Sequence, residues 1–351
     1  ALRPVRRLVR RAAARLGRVV GGRRAADDQP VTERGGTLEH PDVADVEDVE
    51  GSEGDHRAFT HVPSLVPGCC PAGRPPTSVA LSGAPVMVAC VSTAHPTPAH
   101  LLRALVAADP GRPRITVYDD TESATRGERI ELSARVLANW VAKGANLLRD
   151  DLDVGGGSVV QLDLPPHWRS LYWALAAWSV GAAVDVPARR RPDAGGAAAA
   201  ADSGDAGVDV VVTDAVDVAS AATASGADVV FVTLAALARS ATVPVPAGAV
   251  DEARELATHG DVFDAWDEPD PSDVALRLLG DGDGETTYAA VVPEAVARGE
   301  RVHTSTPDTA AFLRLALEVW AGDGSLVLSR GDAGDDVLTS RFVAEGVTRR
   351  S

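Results

Sequence analysis

The stretch from Ser158 to Pro187, SVVQLDLPPHWRSLYWALAAWSVGAAVDVP, constrains the fold more than any other part of the chain. Val159 to Leu164 is a short, mostly apolar run that stops at Pro165-Pro166, two residues that cannot continue a sheet ladder. Trp168, Leu171, Tyr172, Leu175 and Trp178 then recur at three- and four-residue steps, the spacing of one helix face. Gly181 stands where a helix stop is expected, and Ala182 to Val186 reads as a second strand ending at Pro187. A strand–helix–strand unit of this length predicts a parallel sheet with the helix packed on one face.

Elements of the same kind flank this unit. Thr97 is a candidate N-cap with Pro98 at the first helical position, and that helix runs to Ala108. Ile115 to Asp119 and Arg129 to Leu132 read as strands joined by a polar turn around Gly127. Ser133 caps a longer helix whose face is Val136, Leu137, Trp140, Val141, Gly144, Leu147 and Leu148. Beyond Pro187, an Arg-, Pro-, Gly- and Ala-rich tract reads as a loop of low complexity to Ala206. Val208 to Thr213 and Asp228 to Thr233 are predicted strands with a helix between them. Val250 to His259 is a predicted helix and Asp273 to Leu279 a predicted strand. Asp308 to Trp320 is apolar nearly all round and should be a buried helix; Leu326 to Leu328 is a strand. Asp335 to Glu345 is a helix ending at Gly346. The alternation specifies an α/β fold: a layered, largely parallel sheet with helices on both faces.

Composition excludes several functions. A net charge of -16 opposes binding to nucleic acid or to an anionic membrane surface. No run approaches the ~18 apolar residues of a transmembrane helix. Three cysteines, Cys69, Cys70 and Cys90, form no C-x-x-C pair, so a reduced, cytoplasmic location is expected. Val86 to Cys90 faintly resembles a lipoprotein cleavage site but lacks the apolar run after a basic start. Lys143 is the sole lysine and Met87 the sole methionine, a bias that reads as a high-GC bacterial genome. Residues 1–24 read as a basic amphipathic helix, 27–55 as an acidic stretch, and 60–85 as Pro-, Gly- and Ser-rich. The expected division is therefore a disordered or artefactual extension over residues 1–90 and a folded domain over 91–351. Met87 is a candidate natural start, because it directly precedes the first patterned segment.

The order YDD, ELSARVLANWVAKGANLL, the Gly-rich turn, VVQLDLPPHWRSLYWALAAWSVGAAVDVP, VVVTD and FLRLALEVWAGDGSLVL resembles the acyl-adenylate-forming superfamily. That group holds acyl-CoA synthetases, peptide-synthetase adenylation domains and luciferases. The resemblance covers Pro98 to Thr348 and implies the N-terminal subdomain of an acyl-CoA synthetase. The family's chemistry calls for a phosphate loop rich in backbone N–H and hydroxyl donors, followed by a Lys. The matching place follows the Asp273–Leu279 strand, where Gly280, Gly282, Gly284, Thr286 and Thr287 are the candidate phosphate-loop positions. Asp281, Asp283 and Glu285 stand among them, and no Lys or Arg follows until Arg298. Like charges at contact in a partly dry site cost several kcal/mol, to an order of magnitude.

The resemblance therefore implies a degenerate loop, and the family's adenine, ribose and lid motifs lie past the matched segment. The expectation is a truncated pseudoenzyme with no catalytic residues, no metal, and neither ATP nor AMP as cofactor. It would act as a binding or partner protein, with a protein partner or homo-oligomer formed through the cut sheet. The alternative is an enzyme with residual acyl or nucleotide binding that needs a partner chain. His167 and Trp168, at the carboxyl end of a strand where α/β ligand sites gather, are candidate pocket residues. His95 and His100 lack metal spacing, and G-x-S-x-G and H-E-x-x-H motifs are absent, so hydrolase and metalloenzyme readings have no support.

Overall fold

The computed structural model describes residues 96–187, 207–279 and 284–351. The described residues all belong to one compact unit, Pro85–Ser351. The basic helix expected at residues 1–24 and the rest of the 1–90 segment lie outside the described residues.

In chain order the elements are α1 (Pro98–Ala108), β1 (Pro113–Asp120), β2 (Arg129–Ser133), α2 (Ala134–Asn146), β3 (Val159–Asp163), α3 (Trp168–Ser179) and β4 (Ala183–Pro187). They continue with β5 (Val210–Thr213), α4 (Val216–Ser225), β6 (Asp228–Phe231), β7 (Val250–Asp251), α5 (Glu252–Glu255), β8 (Val274–Leu279) and β9 (Gly284–Thr287). The last are β10 (Arg301–Thr304), α6 (Thr309–Ala321), β11 (Ser325–Gly331), α7 (Asp335–Glu345) and β12 (Arg349–Arg350). The strands form two sheets rather than one: β12-β10-β11-β1-β2 and β7-β6-β5-β3-β4-β8-β9. All pairings are parallel except β1 with β2 and β8 with β9.

The β3–α3–β4 unit forms as its sequence requires, with Val159 opposite Ala183 and Val160 opposite Val184. Pro165-Pro166 ends the strand, and His167 takes the N-cap of α3. Its Nδ1 accepts from Arg169 N at 3.3 Å, while Ser170 Oγ accepts from His167 N at 3.1 Å. At the other end Gly181 has φ +79, and Ala182 N donates back to Ala177 O at 3.0 Å. Every residue from Trp168 to Trp178 is buried. The helix packs on β3 and β4 of the seven-stranded sheet and on β1 of the five-stranded one, so no side of it meets solvent. A helix apolar on several faces needs such a middle layer.

Helix α2 crosses α3 at Gly144. A Cβ there would stand 3.0 Å from Ala176 Cβ and 3.6 Å from the Trp173 ring. At Leu147–Asp151 the helix closes with a π-turn. The helix expected over Val250 to His259 is instead a short strand, the single turn α5 and a 3₁₀ turn at Leu256–Thr258. Two facts account for it: Val250 and Asp251 extend the sheet beside Val230 and Phe231, and Glu252 turns inward to meet a buried arginine. The strands β9, β10 and β12 carry too little alternation to be seen in sequence.

Helix α7 has no buried residue. It lies on the five-stranded sheet through charges: Arg341 Nη2 donates to Asp120 Oδ1 at 2.7 Å, and Glu345 accepts from Arg129 Nη2 at 2.8 Å, from Tyr118 and from Arg301. Glu131 faces the same two arginines. Burial raises the Glu345 carboxyl, but Tyr118, Arg129 and Arg301 outweigh it and hold it at about 2, against 4.5 unperturbed.

Two outcomes follow from this packing. Gly144→Leu should destabilise the fold by about 1–3 kcal/mol through overpacking against α3, read as a lower denaturant midpoint with an unchanged m-value. For Glu345 the folded pKa is depressed, so its contribution is present above pH 4.5 and is lost as pH falls toward 2. Glu345→Gln should flatten the pH dependence of stability across that window in thermal melts, and an unchanged slope would refute the assignment.

Candidate functional site

The hairpin β8–β9 carries the matched phosphate-loop position. Its register sets Leu278 opposite Gly284, Arg277 opposite Glu285 and Leu276 opposite Thr286. Side chains alternate across a strand, so the hairpin has two different faces. On one face Leu276 and Thr286 line a cavity of about 450 Å³, with Ala290, Val291, Pro293 and, from α6, Ala311, Arg314, Leu315 and Glu318. The cavity is mostly apolar, and Arg314 is its cation. Glu318 is already paired with Arg349 at 2.8 Å. On the other face Arg277 stands between Asp185 of β4 at 3.4 Å and Glu285 at 3.6 Å. Burial raises the Asp185 carboxyl, Arg277 pulls it back, and Glu285 pushes it up again. One guanidinium thus serves two carboxylates.

Of the candidate loop residues, Gly284, Thr286 and Thr287 lie in β9; Gly280 and Gly282 are outside the described residues. Thr286 is the one that reaches the cavity. His167 and Trp168 are both buried. Burial holds the His167 imidazole well below its usual pKa, with Arg330 and Arg169 adding to the effect, so the ring is neutral and its Nδ1 caps α3. Trp168 packs against Trp140 and Tyr172 at centroid distances of 5.5 and 5.6 Å, with the Arg169 guanidinium 4.3 Å from its ring centre. Neither residue lines the cavity beside Thr286.

A buried ionic group went unseen in sequence. Arg169 Nη1 donates to Glu252 Oε1 at 2.6 Å and its Nη2 to Ala235 O at 3.0 Å. The Tyr172 hydroxyl donates to the same carboxylate oxygen. Burial pushes the Glu252 carboxyl up, and Arg169 pulls it back. The available signal was Arg169 itself, the only charge in an otherwise apolar helix. Its partner, 83 residues on, had none. Among the described residues no group of three or more His, Cys, Asp and Glu side chains is placed to hold a metal ion, and no helix is long and apolar enough to cross a membrane.

No protein-family model matches the chain. It is 34% identical over 230 residues to a TIGR03089 family protein of Mycobacterium tuberculosis, across 65% of this chain and 81% of the relative. The chain belongs to the TIGR03089 family. Among solved structures, an acyl-CoA synthetase from Brucella canis is similar with a TM-score of 0.56 and 18% identity, over 72% of this chain and 46% of the synthetase. The N-terminal domain of FACL13 from Mycobacterium tuberculosis gives 0.54 and 16%, over 72% of this chain and 62% of that domain. At these identities the likeness speaks for the fold: this TIGR03089 family chain has the architecture of the N-terminal part of acyl-CoA synthetases. It spans less than half the length of the Brucella canis synthetase.

The buried pair makes a separable prediction. Arg169→Met leaves Glu252 without a counter-charge and should cost about 3–5 kcal/mol, whereas Arg169→Met with Glu252→Leu should recover most of that loss. Chemical denaturation of both variants decides the matter; a double variant no more stable than the single one contradicts it.

Proposed function

We propose that this TIGR03089 family protein is a non-catalytic relative of the adenylate-forming enzymes that works as a binding or partner protein, without ATP or AMP as cofactor. The observation that carries the reading is the charge at the β8–β9 hairpin. Arg277 is held between Asp185 and Glu285, so its charge is already engaged. From Arg277 to Arg298 the sequence has no further Lys or Arg, and it adds the acids Asp281 and Asp283. A triphosphate brought there would meet acids where phosphate-binding chemistry calls for backbone N–H groups, hydroxyls and a cation. Like charges brought into contact in a partly dry site repel by several kcal/mol, to an order of magnitude.

One observation favours a second reading, an enzyme with residual acyl or nucleotide binding that is completed by a partner chain. The cavity beside Thr286 has a volume in the range of small-molecule sites, and Arg314 supplies a cation there. Isothermal titration of the purified chain with ATP, AMP and acyl-CoAs separates the two. The first reading expects no saturable ATP binding and no ATP–pyrophosphate exchange. Exchange by the isolated chain would overturn it, and tight AMP or acyl-CoA binding without exchange would favour the second.

A further inference from the structure

The loop 260–270, GDVFDAWDEPD, turns apolar side chains into water. Trp266 is 79% exposed and Val262 76%. A solvated indole on a loose loop would say little, but this loop is fixed in place by the end of α2 and its π-turn. Lys143 Nζ donates to His259 O at 2.7 Å, and Asn146 Nδ2 donates to Gly260 O and Val262 O at 3.1 and 2.9 Å. Arg149 Nη1 donates to Asp264 O at 2.9 Å. The Arg149 guanidinium also lies 4.7 Å from the Phe263 ring centre and 5.1 Å from that of Trp266, so the indole is oriented rather than free to swing.

The surroundings are acidic. Asp264 and Asp267 flank Trp266 and are exposed. On the π-turn Asp150 is answered by Arg149 at 2.7 Å, and Asp151 faces His259 at 3.3 Å. Asp261 is answered by Lys143, and Glu268 by His100 at 3.1 Å and Arg103 at 3.9 Å. Between His259 and Arg277 the sequence itself supplies carboxylates and no Lys or Arg.

We propose that this loop is a docking surface for a polypeptide segment that carries arginines beside apolar residues, with Trp266 as its anchor. Charge complementarity selects such a partner: Asp264 and Asp267, on either side of the indole in sequence, accept guanidinium N–H groups, while the ring face away from Arg149 stacks on the guanidinium plane. Tryptophan and arginine are the side chains that most often dominate interface energetics. The clamps on the backbone mean that little loop entropy remains to be lost on binding. The same charge repels nucleic acid, anionic lipid and a second copy of this face. The inference does not depend on how the β8–β9 hairpin treats ATP, and either result there leaves it standing.

The test titrates the full chain with a fluorescently labelled amphipathic peptide of alternating arginine pairs and leucines, read by anisotropy, with a glutamate–leucine peptide as the control. Parent protein should bind the arginine peptide and not the control. Trp266→Ala keeps the net charge and, at a site this exposed, the fold, which circular dichroism verifies; it should weaken binding about tenfold or more. Trp266→Phe should restore part of it, and Asp264→Asn with Asp267→Asn should weaken binding and flatten its salt dependence. Binding by Trp266→Ala equal to the parent would overturn the proposal, because charge alone would then explain it. A dimer of the free chain that Trp266→Ala abolishes would also overturn it, by giving the face to a second copy.

Discussion

The fold depends on enclosing α3 between two sheets. Trp168, Leu171, Tyr172, Trp173, Leu175 and Trp178 leave water together. At about 1.5–3 kcal/mol for each large side chain, their burial is comparable with the whole net stability of a domain. Water exclusion also fixes where polar atoms must go. Trp178 Nε1 donates to Ala275 O at 2.7 Å and Tyr288 OH to Ala182 O at 2.8 Å, which ties the helix and its exit to β8 and to the segment after β9. The indole nitrogens of Trp168 and Trp173 have no hydrogen-bond partner, a cost that packing must offset. The β8–β9 hairpin is held against this helix, so the geometry of the cavity follows from the core.

Around that core, charge does what apolar contact does elsewhere. Helix α7 presents no buried face and is kept in place by Arg341, Glu345 and the Phe342–His303 contact, with ring centroids 4.6 Å apart. Arg114, fully buried in β1, donates to Asp323 O and Gly324 O and so fixes the turn between α6 and β11. Arg169 ties α3 to the 235 turn and to α5. Each of these guanidiniums spans several acceptors, which suits arginine's planar fork better than a point charge. An arginine-rich composition that reads as genome bias thus has structural uses.

The parts of this architecture written in local pattern were legible in the sequence. The steps Trp168, Leu171, Tyr172, Leu175 and Trp178 mark α3, Gly181 marks its stop, and Ser133 and Gly346 mark two further helix ends, because caps and apolar faces are properties of neighbouring residues. The division into two sheets was not legible, since β1 meets β11 through residues remote in the chain. Glu252 illustrates the same limit: in sequence it begins a charged helix, while its environment comes from Arg169 and Tyr172. At the hairpin, the candidate positions Gly284, Thr286 and Thr287 could be placed by alignment with a family pattern, but that Thr286 faces the cavity while Glu285 faces Arg277 required the β9 register. Arg314 was hidden because a helix apolar nearly all round gives no hint which of its few charges faces a cavity.

The strand order has a consequence for how the protein is made. In the seven-stranded sheet each pairing joins elements between Val159 and Thr287, so that sheet can assemble while later residues are still emerging from the ribosome. The five-stranded sheet cannot. Its strand β1 finds its parallel partner only when β11, the central strand, arrives about two hundred residues later. Until then β1 and β2 exist as a lone hairpin beside an unfinished layer, with Ile115 and Val117 still lacking the strand that will pair beside them. The interior therefore closes only once β11 has been made, and a chain interrupted before that point would leave its aromatic centre open on one side.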